Sequence, residues 1–225
     1  MQQKGKYAIA GILTLLSVLF LVFVKTVDVA AIGPLETSVG FSHLNGAVAD
    51  HIGLNMTWYK ITQFLGYFAI LVAGLFAVLG LLQLIRRRNL FKVDTQILAA
   101  GVLYAAVILL YVLFEKAVVN YRPVLMPNET DPEASFPSSH TMLTIVVMGS
   151  AMILLKKYIR NAPALLAVRI VCALILLVTV IGRLLSGVHW LTDIIGGIVI
   201  SAALLAWFEL ALDRFGKAKR QKRSK

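Results

Sequence analysis

The 225-residue chain has 1 cysteine, 6 prolines and 11 acidic residues against 22 lysines and arginines. A lone thiol, Cys172, excludes an intramolecular disulfide and any metal site built from thiolates. Acidic residues are too few and too scattered for a carboxylate cage. Glu129, Asp131 and Glu133 stand together, but in a proline-rich stretch, and no His-Glu-x-x-His pattern is present. The chain therefore predicts chemistry without a metal and without a cofactor. Charged residues amount to only 15% of the composition, which together with 59% hydrophobic residues and a mean hydropathy of +0.84 excludes an ordinary soluble domain.

What the chain has instead is long apolar runs. Six of them approach or exceed the length that crosses a ~30 Å hydrocarbon core: Tyr7 to Val24, Ile61 to Ile85, Ile97 to Phe114, Met142 to Leu155, Leu165 to Ile181 and Ile194 to Leu212. Their residues do not alternate polar with apolar, so they suit helices rather than barrel strands. The expected fold class is all-α: a six-span helical bundle in one membrane domain, residues 1–215, with a basic tail at 216–225. The fourth run is short and is expected either to begin inside the outer interface or to be shielded by its neighbours. The first follows Lys4 and Lys6 as a signal peptide would, but its apolar stretch is too long and lacks a small-x-small cleavage site, so it reads as a retained anchor.

The net charge of +11 is distributed for topology rather than for nucleic acid. Lys4, Lys6, Arg86, Arg87, Arg88, Lys92, Lys156, Lys157, Arg160 and the tail from Arg214 all fall on one side of a six-span arrangement. By the positive-inside rule that side is cytoplasmic, with both termini inside. Arg169, near the inner end of the fifth run, is expected to snorkel to headgroups. The tail suits anionic membrane lipids better than a nucleic-acid partner. Oligomeric state is not legible.

Two long segments face the other side. Residues 26–55 mix glycines with apolar residues and predict a partly helical interfacial segment. Residues 117–139 hold Pro123, Pro127, Pro132 and Pro137, which forbid a continuous helix and leave irregular backbone leading into Ser138-Ser139-His140. Those serines suit a helix start, either as a plain N-cap or as an oxyanion seat of unpaired N–H groups and hydroxyls. His140 beside such a seat can donate a proton to a leaving oxygen. His189 and Asp193, four apart at the next helix start, serve either as a structural cap or as an imidazole whose tautomer the carboxylate fixes. Arg183, Arg122 and Lys116 come to the same face from different span ends. Such cations repel one another unless an anion lies between them, and a phosphoryl group would be that anion.

These residues resemble the type 2 phosphatidic acid phosphatase (PAP2) superfamily of membrane lipid phosphatases. Its pattern is Lys-x6-Arg-Pro, then Pro-Ser-Gly-His, then Ser-Arg-x5-His-x3-Asp, spread from the third span to the sixth. The resemblance implies that His189 is the nucleophile forming a phosphohistidine, Asp193 its partner and His140 the general acid. It implies that Arg122, Arg183, Ser138 and Ser139 hold the phosphate. Three positions depart from the pattern. Lys116 stands five residues before Arg122 while Glu115 fills the family's lysine position, Ser139 replaces a glycine, and Gly182 replaces a serine.

The expected function is thus hydrolysis of a lipid phosphate or diphosphate at the extracytoplasmic face. Undecaprenyl diphosphate, phosphatidylglycerophosphate and phosphatidic acid are family substrates between which the sequence does not choose; analogy alone favours undecaprenyl diphosphate or a broad range of lipid phosphates. Transfer of the phosphoryl group to another lipid, and transport of a lipid headgroup, are the competing readings. A transporter usually shows repeats and helices interrupted near the midplane, and this sequence shows neither.

Overall fold

The computed structural model describes residues 2–126 and 129–221. In chain order it contains α1 (Gln2–Thr26), a two-stranded hairpin of β1 (Ala30–Ala31) and β2 (Ser38–Val39), α2 (Ser42–Ile52), α3 (Met56–Arg87), α4 (Thr95–Lys116), α5 (Ser139–Leu154), α6 (Ala162–Leu185) and α7 (Leu191–Gln221). All but α2 are long and apolar enough to cross a membrane, so the six expected spans are present in an all-helical bundle.

Local chemistry sets the helix starts. Asn55 caps α3, its Oδ1 accepting from the N–H groups of Thr57 and Trp58 at 3.1 and 3.2 Å. Asn161 caps α6, accepting from the Ala164 N–H at 2.9 Å, with Pro163 in the first turn where no backbone donor is missed. Each cap satisfies donors that would otherwise face lipid headgroups unpaired.

The short fourth span is the innermost. Its apolar window in α5 is 61% buried, against 11% for α1, α3 and α6, because α3, α4, α6 and α7 all pack around it. A helix screened from lipid by protein need not match the bilayer thickness, which accounts for its length. Small residues permit the close approach: a Cβ on Gly149 of α5 would come within 2.6 Å of Leu205 on α7. The outer helices instead turn residues such as Leu71, Leu75, Val102 and Leu174 outward.

The two ends of the bundle differ in chemistry. Lys6 at the start of α1 bonds Asp213 near the end of α7 at 2.6 Å, so these helix ends lie together. On the same face Asp94 receives Arg87 at 3.0 Å and Lys157 at 2.6 Å, binding the α3–α4 turn to the end of α5. Arg169 donates from its Nε to the Met152 carbonyl at 3.2 Å, which joins α6 to α5. The helix of α7 runs on through Gln221, so the first part of the expected tail is helical backbone, and its remainder lies outside the described residues.

At the opposite face, residues 26–55 form the hairpin and α2. Buried Asn45 on α2 donates from Nδ2 to the Gly40 carbonyl at 2.7 Å and to Thr192 Oγ1 at 2.9 Å, and its Oδ1 accepts from the Thr192 N–H at 3.2 Å. This segment therefore supplies a capping residue for α7 from elsewhere in the chain, at the position next to Asp193.

Candidate active site

The irregular stretch after α4 is ordered by a small antiparallel pairing. Arg122 N–H donates to the Glu133 carbonyl and Ser135 N–H to the Asn120 carbonyl, both at 2.9 Å, with Tyr121 opposite Ala134. This pairing carries Asn120, Arg122 and Ser135 to the mouth of the bundle. Ser138 then caps α5, its Oγ accepting from the Thr141 N–H at 3.4 Å while its own N–H donates to the Asp193 carbonyl at 3.0 Å. Ser138 is wholly buried, and its hydroxyl serves the helix start. Ser139 and His140, in the first turn, line the cavity. Ser139 is absent from the positive-φ residues, so a side chain there is unstrained where the family pattern has glycine.

Arg183, in the last turn of α6, is fully buried. One terminal nitrogen lies 3.4 Å from Thr62 Oγ1, the other 3.0 Å from His189 Nε2, and the guanidinium carbon sits 5.3 Å from the centre of the Tyr59 ring. Among the described residues no carboxylate forms a salt bridge with it, and its Nε has no partner. A buried guanidinium in that condition is costly unless an anion completes it. Gly182 leaves the room this packing needs, since a Cβ there would meet Thr62 at 2.7 Å and Trp58 at 2.9 Å.

His189 stands in the turn before α7 rather than within the helix expected to carry it. Its Nδ1 lies 3.7 Å from Asp193 Oδ2, an ion-pair distance too long for the hydrogen bond expected from the sequence. The Asp193 carboxylate is instead held by Ser135 Oγ at 2.7 Å, the Trp190 N–H at 2.9 Å and Asn120 Nδ2 at 3.2 Å. A guanidinium can only donate, so its contact with Nε2 requires a lone pair there and places the ring proton on Nδ1, toward Asp193. Burial, followed by the Arg183 and Arg122 cations, pushes His189 well below the ordinary imidazole value, which keeps this neutral form at neutral pH.

A cavity of about 490 Å³ opens in front of these groups, lined among others by Glu115, Arg122, Glu133, Ser139, His140 and His189. Arg122 pairs with Glu133 at 2.7 Å. Thus Arg122, Arg183, Ser139, His140, His189 and Asp193 are gathered in one place. Lys116 is not gathered with them. It is exposed at the end of α4, while its neighbour Glu115 faces the cavity, as the ~100° turn per helical residue requires. Among the described residues no group of three His, Cys, Asp or Glu side chains could hold a metal.

Several contributors carry no motif of their own. Thr62, Tyr59, Asn120, Ser135 and Asn45 are single polar residues separated by long stretches of chain, and no local spacing links them to His189 or Asp193.

The family model described as PAP2 superfamily matches residues 96–216. No curated protein matches the sequence. Among solved structures, the chain is similar to the crystal structure of the first transmembrane PAP2-type phosphatidylglycerolphosphate phosphatase from Bacillus subtilis, with 19% identity, a TM-score of 0.65, and coverage of 93% of this chain and 96% of that one. At that identity the likeness shows a shared fold.

Proposed function

Because this chain belongs to the PAP2 superfamily, we propose that it is a membrane lipid phosphatase working through a phosphohistidine. The observation that carries the reading is Arg183, buried without a counter-ion among the described residues and in contact with Nε2 of His189. A phosphoryl group would take the guanidinium from Nε2 and free its lone pair. Neutral His189 would then attack phosphorus, forming an N–P bond as the bond from phosphorus to the lipid oxygen breaks. His140, starting as imidazolium, would give its proton to that oxygen, and the lipid alcohol would leave. Water, deprotonated by His140, would next attack phosphorus, break the N–P bond and release inorganic phosphate. Arg183, Arg122 and Ser139 would hold the charge on the non-bridging oxygens throughout. None of these steps calls on a metal.

The basic residues gathered at the opposite end of the bundle support a cytoplasmic position for both termini and an extracytoplasmic one for the site. A lipid phosphate headgroup in the outer leaflet would then reach the cavity with its chains still in the bilayer. Three measurements test the scheme. A lipid labelled in its terminal phosphate, quenched in alkali where a phosphoramidate survives, is expected to leave label on His189. His189→Ala is expected to lose turnover, and chelator is expected to leave the wild type unchanged. Label on another residue, or activity lost to chelator, would overturn it.

A further inference from the structure

Arg183 is fully buried, and among the described residues no salt-bridged carboxylate holds it. What holds it on the side of α3 is uncharged. Thr62 Oγ1 lies 3.4 Å from Nη1, and the Tyr59 ring lies against the guanidinium with 5.3 Å between the ring centre and Cζ. These two residues stand three apart on α3 and therefore share a face. Gly182 lets that face come against α6, since a Cβ there would meet Thr62 Cγ2 at 2.7 Å.

The Thr62 hydroxyl is already oriented. Its single hydrogen goes to the carbonyls of Trp58 and Tyr59, at 2.9 and 3.0 Å, so the oxygen turns its lone pairs to the guanidinium. Nη1 is thereby tied from behind. Nε and Nη2 make up the adjoining edge of the planar fork, the kind of edge that fits two phosphate oxygens at once. On that edge Nε has no partner, and Nη2 meets His189 Nε2 at 3.0 Å. When a phosphoryl group takes the place of the contact with His189, Thr62 and Tyr59 still fix the fork. A carboxylate could fix it as firmly, but would offset the positive charge that the phosphoryl oxygens need.

We propose that Thr62 and Tyr59 are positioning residues: they hold Arg183 through uncharged contacts, with its Nε–Nη2 edge turned to the phosphoryl group and its charge undiminished. Both act through Arg183. The inference rests on the phosphatase reading of the site.

The test uses purified protein in detergent and whichever of phosphatidic acid, phosphatidylglycerophosphate and undecaprenyl diphosphate the wild type hydrolyses fastest. It measures kcat/KM, Ki for inorganic phosphate and melting temperature. Thr62→Val keeps the shape but loses the lone pairs, and is expected to lower kcat/KM about tenfold or more. Tyr59→Leu loses the ring face, and is expected to lower it about threefold to thirtyfold. Both are expected to raise Ki for phosphate by a similar factor. Thr62→Ser and Tyr59→Phe, which restore the hydroxyl and the ring, are expected to recover most of each loss. A merely structural role would lower the melting temperature and leave Ki where it was. Unchanged Ki in both Thr62→Val and Tyr59→Leu, or a Tyr59→Phe protein as weak as Tyr59→Leu, would overturn the assignment while leaving the phosphatase reading intact. If Thr62→Val does not fold, Ki in Tyr59→Leu, which alters a half-buried side chain, decides alone. A wild type that releases phosphate from none of the three lipids would overturn the phosphatase reading, and this proposal with it.

Discussion

At the scale of single residues, the site is governed by how few partners its buried charges have. Arg183 donates to Thr62 and His189 with no salt-bridged carboxylate among the described residues, and Arg122 reaches the cavity already paired with Glu133. The cations and imidazoles around His189 therefore set its protonation. Arg183, Arg122 and His140 all oppose a proton on the ring, and burial opposes it more. Removing one cation weakens that opposition. Arg122→Gln is expected to move the acid limb of the kcat–pH profile to higher pH, because His189 then protonates more readily; an acid limb that stays in place or moves down would contradict this. The motif residues were legible as chemical types at fixed spacings. Which neighbour of Arg122 faces the cavity, Glu115 or Lys116, was not, because that depends on the rotation of the last turn of α4 and on the chain path after it.

At the scale of elements, the functional groups sit on three joints: the cap of α5, the last turn of α6 and the turn into α7. The turn into α7 is the most constrained. Gly187 has φ of +68°, and a Cβ there would lie 2.0 Å from the Gly53 carbonyl oxygen, so both conformation and space require glycine. Gly187→Ala is expected to abolish activity and lower thermal stability by several degrees, whereas Gly74→Ala, facing open space on α3, is expected to leave both unchanged. Asn45 constrains the same turn from the far side of the chain. Its replacement by alanine leaves the Thr192 N–H without its cap and is expected to cost about 1 kcal/mol of stability. Because Thr192 adjoins Asp193, kcat is expected to fall more than KM rises, which steady-state kinetics would read directly. Sequence reading placed a partly helical segment at 26–55 and a helix start at Ser138. It could not link Asn45 to Thr192, because the contact spans 147 positions and leaves no periodic trace.

At the scale of the whole molecule, the bundle separates the end that holds the candidate site from an anchoring end tied together by ion pairs. The anchoring end is held by Asp94, which takes Arg87, Lys157 and the Tyr158 hydroxyl. Burial raises its carboxyl, but the hydrogen bonds and charges of Lys157 and Arg87 outweigh that and bring it to about 2, from an ordinary 3.8. A carboxylate depressed in the folded state stabilises above its unfolded value and loses that contribution as pH falls toward the folded one. The contribution is on the order of 2 kcal/mol. Melting temperature in detergent is therefore expected to drop between about pH 4 and pH 2 in the wild type. Asp94→Asn is expected to melt lower at neutral pH and to show a smaller drop; an unchanged profile would remove Asp94 from this role.

Composition and the six apolar runs alone determined a membrane-embedded helical bundle, because a chain in lipid must satisfy its backbone within each segment. The order and spacing of Arg122, His140, Arg183, His189 and Asp193 likewise carried the resemblance to the family, which the match over residues 96–216 shows. Only the tertiary structure decided that Arg183 bonds His189, that Asp193 is held by Ser135 and Asn120 rather than by the histidine, and that Glu115 rather than Lys116 lines the cavity. Those outcomes depend on the rotation of each helix about its axis and on the route of the loops between them. Both are set by packing between segments distant in the chain, which no local pattern of residues encodes.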